Sequence, residues 1–282
     1  MSLERSPQAD LVAYNLSMPA VGKLRYLEAP PRGDRPRGTL LLLHAFPLNA
    51  RMWEPQLGLV SHGWRVVAPQ LRGFDDGVTD PPASTVDDYA GDVIDLLDAL
   101  HLEDAVIAGL SMGGYVAFAV FRQAPRYVRG LVLADTRSQA DTPEGVAGRT
   151  RMLQLLAEKG PSAVVDEMIP KLLGASTRAS RPEVGDCVRA LALSNPPEAI
   201  AGAIRALVTR PDSTPLLRTI HCPTLVVVGE EDVLTPPALS EEMHRAIAGS
   251  RLVIVPGAGH LSSFEQPDAF NSALAAFLTH RV

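Results

Sequence analysis

Gly109-Leu110-Ser111-Met112-Gly113 is the stretch on which the reading of this chain turns. It has the form Gly-x-Ser-x-Gly. An apolar run, Ala105-Val106-Ile107-Ala108, leads into it, and Gly114–Gln123 leaves it with helical spacing. A serine on a turn between a strand and a helix is the setting of a nucleophile elbow. The turn is tight and strained, and large side chains at its flanks would collide with neighbouring backbone, hence the glycines. Such a turn lifts the hydroxyl clear of the sheet and points the next N–H groups at a reacting oxygen. Five residues alone also fit a helix-capping serine in a Gly-rich turn, so the rest of the chain decides.

Further short apolar runs lie on both sides: Thr39–Leu43, Trp64–Ala68, Val128–Leu133, Thr224–Val228 and Arg251–Val255. Near-continuous apolar runs suit strands covered on both faces, as in a parallel sheet. Val86–Leu100, Pro236–Ala248 and Gln266–Thr279 between and after them have helical spacing, the first with Ser84 or Thr85 as its cap. Strand alternating with helix predicts βαβ units. The weaker stretch Tyr14–Leu27 is expected to supply antiparallel strands at one edge, and Pro30–Gly38 a turn-rich loop. From Arg137 to Pro215 the alternation stops. Arg149–Lys159, Ala163–Leu173, Val184–Leu193 and Ala199–Thr209 read as amphipathic helices without a strand among them. So long a connection predicts a helical lid inserted in the sheet domain. The expected division is a core of residues 1–136 and 216–282 with a cap of residues 137–215.

A serine hydroxyl needs a base. Of the seven histidines, His260 stands in Pro256-Gly257-Ala258-Gly259-His260, directly after the last strand run. Loops at the carboxyl ends of strands are where catalytic groups gather in open α/β sheets. The acid that orients the base is expected at Asp232, in Gly229-Glu230-Glu231-Asp232 after the run Thr224–Val228. Asp135, at the end of the preceding strand, is the rival, and Glu230 and Glu231 read as a solvated turn. The chain order Ser111, Asp232, His260 is the one this arrangement takes. The loop His44-Ala45-Phe46-Pro47 after Thr39–Leu43 is placed to give a second oxyanion donor, so the backbone N–H groups of Phe46 and Met112 are the expected oxyanion hole. His44 itself is expected to brace that loop. Arg137 is a candidate contact for a substrate carboxylate, with an ion pair at the lid hinge as the alternative. Trp53 is a candidate for the substrate pocket, with core packing as the alternative.

Composition bounds the rest. The 282 residues are 46% apolar and 21% charged, with a net charge of −6, ordinary for a globular protein. No basic patch or stripe points to nucleic acid. No apolar run approaches the roughly 20 residues of a membrane helix, and no apolar segment follows Met1, so the expectation is a cytoplasmic protein with no membrane partner. Cys187 and Cys222 lack metal-ligand spacing and are expected to be free thiols, a single bridge being the alternative. No metal and no cofactor are expected.

With these residues in view, the chain from about Leu24 to its end resembles the α/β-hydrolase superfamily. The resemblance is carried by His44-Ala45-Phe46-Pro47, Arg72-Gly73-Phe74, Gly109–Gly114, Gly229–Asp232 and Gly257-Ala258-Gly259-His260. Within the superfamily it is similar to the 3-oxoadipate enol-lactonases and small carboxylesterases. The resemblance implies an α/β-hydrolase fold: a mostly parallel sheet of about eight strands flanked by helices, with an inserted lid. Ala45 stands where the family usually has Gly, Gln70 where many members have Asp, and Asp75-Asp76 where a Gly-containing turn is common. A serine nucleophile excludes the haloalkane dehalogenases and epoxide hydrolases, which use aspartate.

The implied activity is hydrolysis of a small-molecule ester or lactone through an acyl-enzyme on Ser111. Three other readings share the triad: an acyltransferase or perhydrolase, a carbon–carbon bond hydrolase, and a ligand receptor with slow turnover. The sequence leaves the acyl group and the oligomeric state open.

Overall fold

The computed structural model describes residues 18–30, 36–74 and 82–282. Asp75-Asp76, the start of Tyr14–Leu27 and the middle of Pro30–Gly38 lie outside the described residues. Eight strands form one sheet in the order β1-β2-β4-β3-β5-β6-β7-β8. The strands are β1 (Ala20–Val21), β2 (Leu24–Ala29), β3 (Gly38–Leu43), β4 (Trp64–Pro69), β5 (Ala105–Leu110), β6 (Val128–Ala134), β7 (Thr224–Gly229) and β8 (Arg251–Val255). β1 and β2 run antiparallel at one edge, and β3 to β8 pair in parallel.

The apolar runs form the centre of this sheet because both faces are covered. Leu40 to Leu43 on β3 have no exposed surface, and every residue of β5 is buried. Burying one leucine side chain in this way contributes on the order of 2 kcal/mol. β8 closes the far edge, and its Ile254 stays 42% exposed.

Helices α1 (Val86–Ala99), α2 (Met112–Gln123), α7 (Pro237–Ala246), α8 (Ser262–Glu265) and α9 (Pro267–His280) flank the sheet. Thr85 is the cap of α1: its hydroxyl accepts from Asp88 N–H at 3.0 Å, and the Asp88 carboxylate accepts from Thr85 N–H at 3.0 Å. Between β6 and β7 lie α3 (Pro143–Leu172), α4 (Ala175–Ser180), α5 (Pro182–Leu193) and α6 (Pro197–Thr209). The helices read over Arg149–Lys159 and Ala163–Leu173 are two arms of α3, divided at Gly160, whose φ of 79° no helix contains. No helix among the described residues is long and apolar enough to cross a membrane. Cys187 and Cys222 are free.

Candidate active site

The elbow is built from close backbone approach. A Cβ on Gly109 would lie 2.1 Å from the Gly113 carbonyl oxygen, and one on Gly113 would lie 2.1 Å from that of Leu43. No side chain fits either place. The chain leaves β5 at Leu110 and enters α2 at Met112, so Ser111 alone makes the reversal, at φ 54° and ψ −112°. A non-glycine residue held there stores roughly 1–3 kcal/mol of strain. The turn is tied down by Ser111 N–H donating to Ala134 O at 2.9 Å and by the Thr136 hydroxyl donating to Ser111 O at 2.9 Å.

The serine hydroxyl lies 2.7 Å from His260 Nε2, and His260 Nδ1 lies 2.8 Å from Asp232 Oδ2. A carboxylate only accepts, so Nδ1 carries the proton and Nε2 is left to accept from Ser111 O–H. Asp232 takes three further donors: Leu234 N–H at 2.8 Å and Thr235 N–H at 2.9 Å on Oδ1, and the Thr235 hydroxyl at 2.6 Å on Oδ2. Burial opposes ionisation of Asp232, but the attraction of His260 and the donors from His260 and Thr235 outweigh it and hold the carboxyl below its usual range. Thr235 has no motif to mark it, and its part is visible only in three dimensions.

Asp135, the rival acid, points elsewhere. Its oxygens accept from Gly229 N–H at 2.8 Å, Ser262 N–H at 3.1 Å and the Ser262 hydroxyl at 2.5 Å, joining β7 to the residues just after His260. Complete burial, with the nearby Asp232 charge adding to it, holds its pKa well above the ordinary carboxylate range. Glu265 is a second brace that sequence reading missed. It is fully buried and accepts from Gly259 N–H and Gly174 N–H, each at 2.8 Å, and from Leu261 N–H at 3.2 Å.

On the other side of the serine, Phe46 follows β3 and its side chain lines the cavity. Met112 opens α2, where a backbone N–H has no partner one turn back in the helix. His44 is buried and holds the Phe46 loop. Its Nε2 accepts from Leu71 N–H at 3.1 Å and its Nδ1 donates to Ala45 O at 3.2 Å. Gln70, in the place where relatives often carry Asp, accepts from Ala50 N–H at 2.6 Å and donates to Phe74 O at 3.2 Å.

Ser111 and His260 open onto a cavity of about 590 Å³ whose wall includes Phe46, Tyr115, Arg137 and Leu234. That volume is typical of small-molecule sites. Arg137 is on the wall and is paired with Asp141. Trp53 is a correction. It has no exposed surface, is not part of the cavity wall, and packs at a tilt on Phe270 with ring centres 6.1 Å apart. Hydrophobicity alone does not separate a core tryptophan from one in a pocket.

This sheet, with a strained serine between β5 and α2 and an imidazole on the loop after β8, is the framework of one family. The model of the alpha/beta hydrolase family matches residues 40–273, and the chain belongs to that family. It is an enzyme of the hydrolase kind. It is 30% identical to a pimeloyl-[acyl-carrier protein] methyl ester esterase of Neisseria meningitidis, over 84% of this chain and 91% of that one. It is 26% identical to 3-oxoadipate enol-lactonase 2 of Acinetobacter baylyi, over 87% and 90%. Among solved structures, a thermophilic esterase from Thermogutta terrifontis, solved with malate bound, is 38% identical, with a TM-score of 0.85 and coverage of 94% and 97%. An enol-lactonase from Burkholderia xenovorans is 28% identical, with a TM-score of 0.82 and coverage of 91% and 96%.

Proposed function

We propose that the protein hydrolyses a small carboxylic ester or lactone through an acyl-enzyme on Ser111, with His260 as base and Asp232 as orienting acid. The observation that carries this reading is the unbroken relay from Ser111 Oγ through His260 to Asp232, at 2.7 and 2.8 Å, opening onto the cavity. His260 takes the Ser111 proton as Oγ bonds to the carbonyl carbon. It then gives that proton to the departing alkoxide, which leaves as the alcohol or, in a lactone, as the opened hydroxyl end. Water, deprotonated by His260, attacks the acyl-enzyme. The acid is released and Ser111 regains its proton. The backbone N–H groups of Phe46 and Met112 hold the oxyanion in both halves, and losing one such donor typically costs about 3 kcal/mol. Residues 137–215 act as the cap that shapes the substrate pocket over the core of residues 1–136 and 216–282. The esterase and enol-lactonase names of the relatives support the substrate class.

The test is a panel of nitrophenyl esters and enol-lactones. The expected result is turnover of at least one of them, reduced roughly a thousandfold or more by Ser111→Ala. Undiminished turnover by that variant overturns the proposal.

A further inference from the structure

Beside the serine, the cavity wall holds a cluster of charge that the hydrolytic relay does not use. Asp141 lies in the loop after β6, with its side chain only 2% exposed. Three arginines converge on it. Arg210, directly after α6, is equally buried and contacts it at 2.9 Å. Arg137 pairs with its Oδ1, and Arg149, on the first arm of α3, reaches its Oδ2 at 3.4 Å.

One buried carboxylate needs one buried cation, and Arg210 fulfils that need. Arg210 is also anchored independently: it donates to Leu207 O at 2.9 Å and to Gln139 O at 3.0 Å, and its guanidinium lies 4.3 Å from the centre of the Tyr115 ring. Arg137 and Arg149 are therefore in excess of what the fold requires there. Their side chains are 23% and 21% exposed, and both form part of the cavity wall that holds Ser111 and His260. Each guanidinium has five N–H donors, so one carboxylate that meets all three arginines occupies only a few of those donors. The Arg137 Nε–H is buried without an acceptor. Around the same cavity, Arg and Lys outnumber Asp and Glu.

We propose that Arg137 and Arg149 form an anion subsite, positioned by Asp141 and Arg210, that selects esters or lactones bearing a second, anionic oxygen group, a carboxylate or a phosphate. The proposal rests on the hydrolase reading above and narrows its substrate class. The guanidinium fork matches the two oxygens of such a group, and a partly enclosed cavity strengthens the attraction over that in open water.

Two measurements test it. The first compares kcat/KM on p-nitrophenyl hemisuccinate and p-nitrophenyl butyrate, which match in length and differ in a terminal carboxylate. The p-nitrophenyl ester of phosphonopropionic acid serves as the phosphate-like arm. The expected result is a preference for at least one anionic ester that weakens as KCl is raised. Arg149→Gln should cut that preference about tenfold or more, the loss of one charge-assisted hydrogen bond, and Arg149→Lys should retain part of it. Arg189→Gln, which removes an arginine paired with Asp166 outside the cavity wall, should leave the preference unchanged. The second measurement is calorimetric titration of the unaltered protein with succinate, the uncharged butyramide and inorganic phosphate, which needs no turnover. Succinate or phosphate should bind more tightly than butyramide, and Arg149→Gln should abolish the difference. A preference confined to the phosphonate points to phosphate as the ligand and still supports the subsite. Hydrolysis of butyrate and hemisuccinate esters at equal rates, with no difference between succinate, phosphate and butyramide binding, overturns the subsite and leaves the hydrolase reading standing. Absence of any turnover overturns the hydrolase reading instead, and the titration still decides the subsite.

Discussion

His44 is a histidine that the fold keeps neutral. Burial pushes its imidazole from 6.5 down to about 4, against the opposing hydrogen bond to Ala45 O. Below about pH 6.5 the unfolded chain takes up a proton that the folded protein refuses, so stability is lost as the pH falls toward 4. Over that window the loss amounts to about 3 kcal/mol. His44→Gln removes the titration. Urea unfolding from about pH 7 to 4 should therefore show the stability advantage of the unaltered protein over the variant shrinking by that amount. A constant difference would mean that His44 takes up its proton as readily in the folded protein as in the unfolded chain. The sequence placed His44 as a brace because it precedes the elbow and sits at a strand end. It offered no such clue for Thr235 or Glu265. Their importance comes from backbone N–H groups and a carboxylate brought together from distant positions, and no residue pattern records that. Trp53 failed for the opposite reason: its composition suited two environments, and only the packing of Phe270 against it chose between them.

At the scale of elements, the strands were readable because coverage on both faces makes a run of apolar residues almost unbroken. The helices between β6 and β7 were harder. α4 is six residues long and polar in sequence, Ala-Ser-Thr-Arg-Ala-Ser, too short to carry a period. Gly160 and Pro161 read as a connection between two helices, and the helical path of α3 does break there, at Gly160. Gly160 and Gly91 make an informative pair, because an added Cβ at either would meet nothing within 4 Å. Packing is thus silent and backbone conformation decides. Gly91 lies inside α1, where alanine is favoured, so Gly91→Ala should stabilise by about 0.5–1 kcal/mol. Gly160 has φ 79° and ψ −179°, a region open essentially to glycine alone, so Gly160→Ala should destabilise by about 1–3 kcal/mol. Chemical denaturation of the two variants separates them by sign. A stabilising Gly160→Ala would show that the break in α3 straightens at little cost.

For the whole molecule, the order of Ser111, Asp232 and His260 along the chain, each just after an apolar run, was enough to expect them at strand ends of one sheet. The way the helices of the proposed cap join the sheet domain was not legible. Beside His260 the junction is held through backbone N–H groups: His260 N–H donates to Leu172 O at 3.1 Å, and the Glu265 carboxylate holds Gly174 N–H on one side and Gly259 N–H on the other. Glu231 adds a bond from Ser176 N–H at 2.8 Å. The end of α3 and the loop bearing His260 therefore share their hydrogen bonds, and movement of one displaces the other. Glu265→Gln keeps the volume but puts an amide N–H₂ against N–H donors that need an acceptor, an unsatisfied arrangement costing about 1–3 kcal/mol. Hydrogen exchange should then quicken at Gly174 and at Gly259 together. Ester hydrolysis should also fall, although no residue of the proposed relay has changed. Faster exchange at Gly174 with Gly259 and hydrolysis unaffected would show that the two parts are joined elsewhere and that the His260 loop holds its position without the cap.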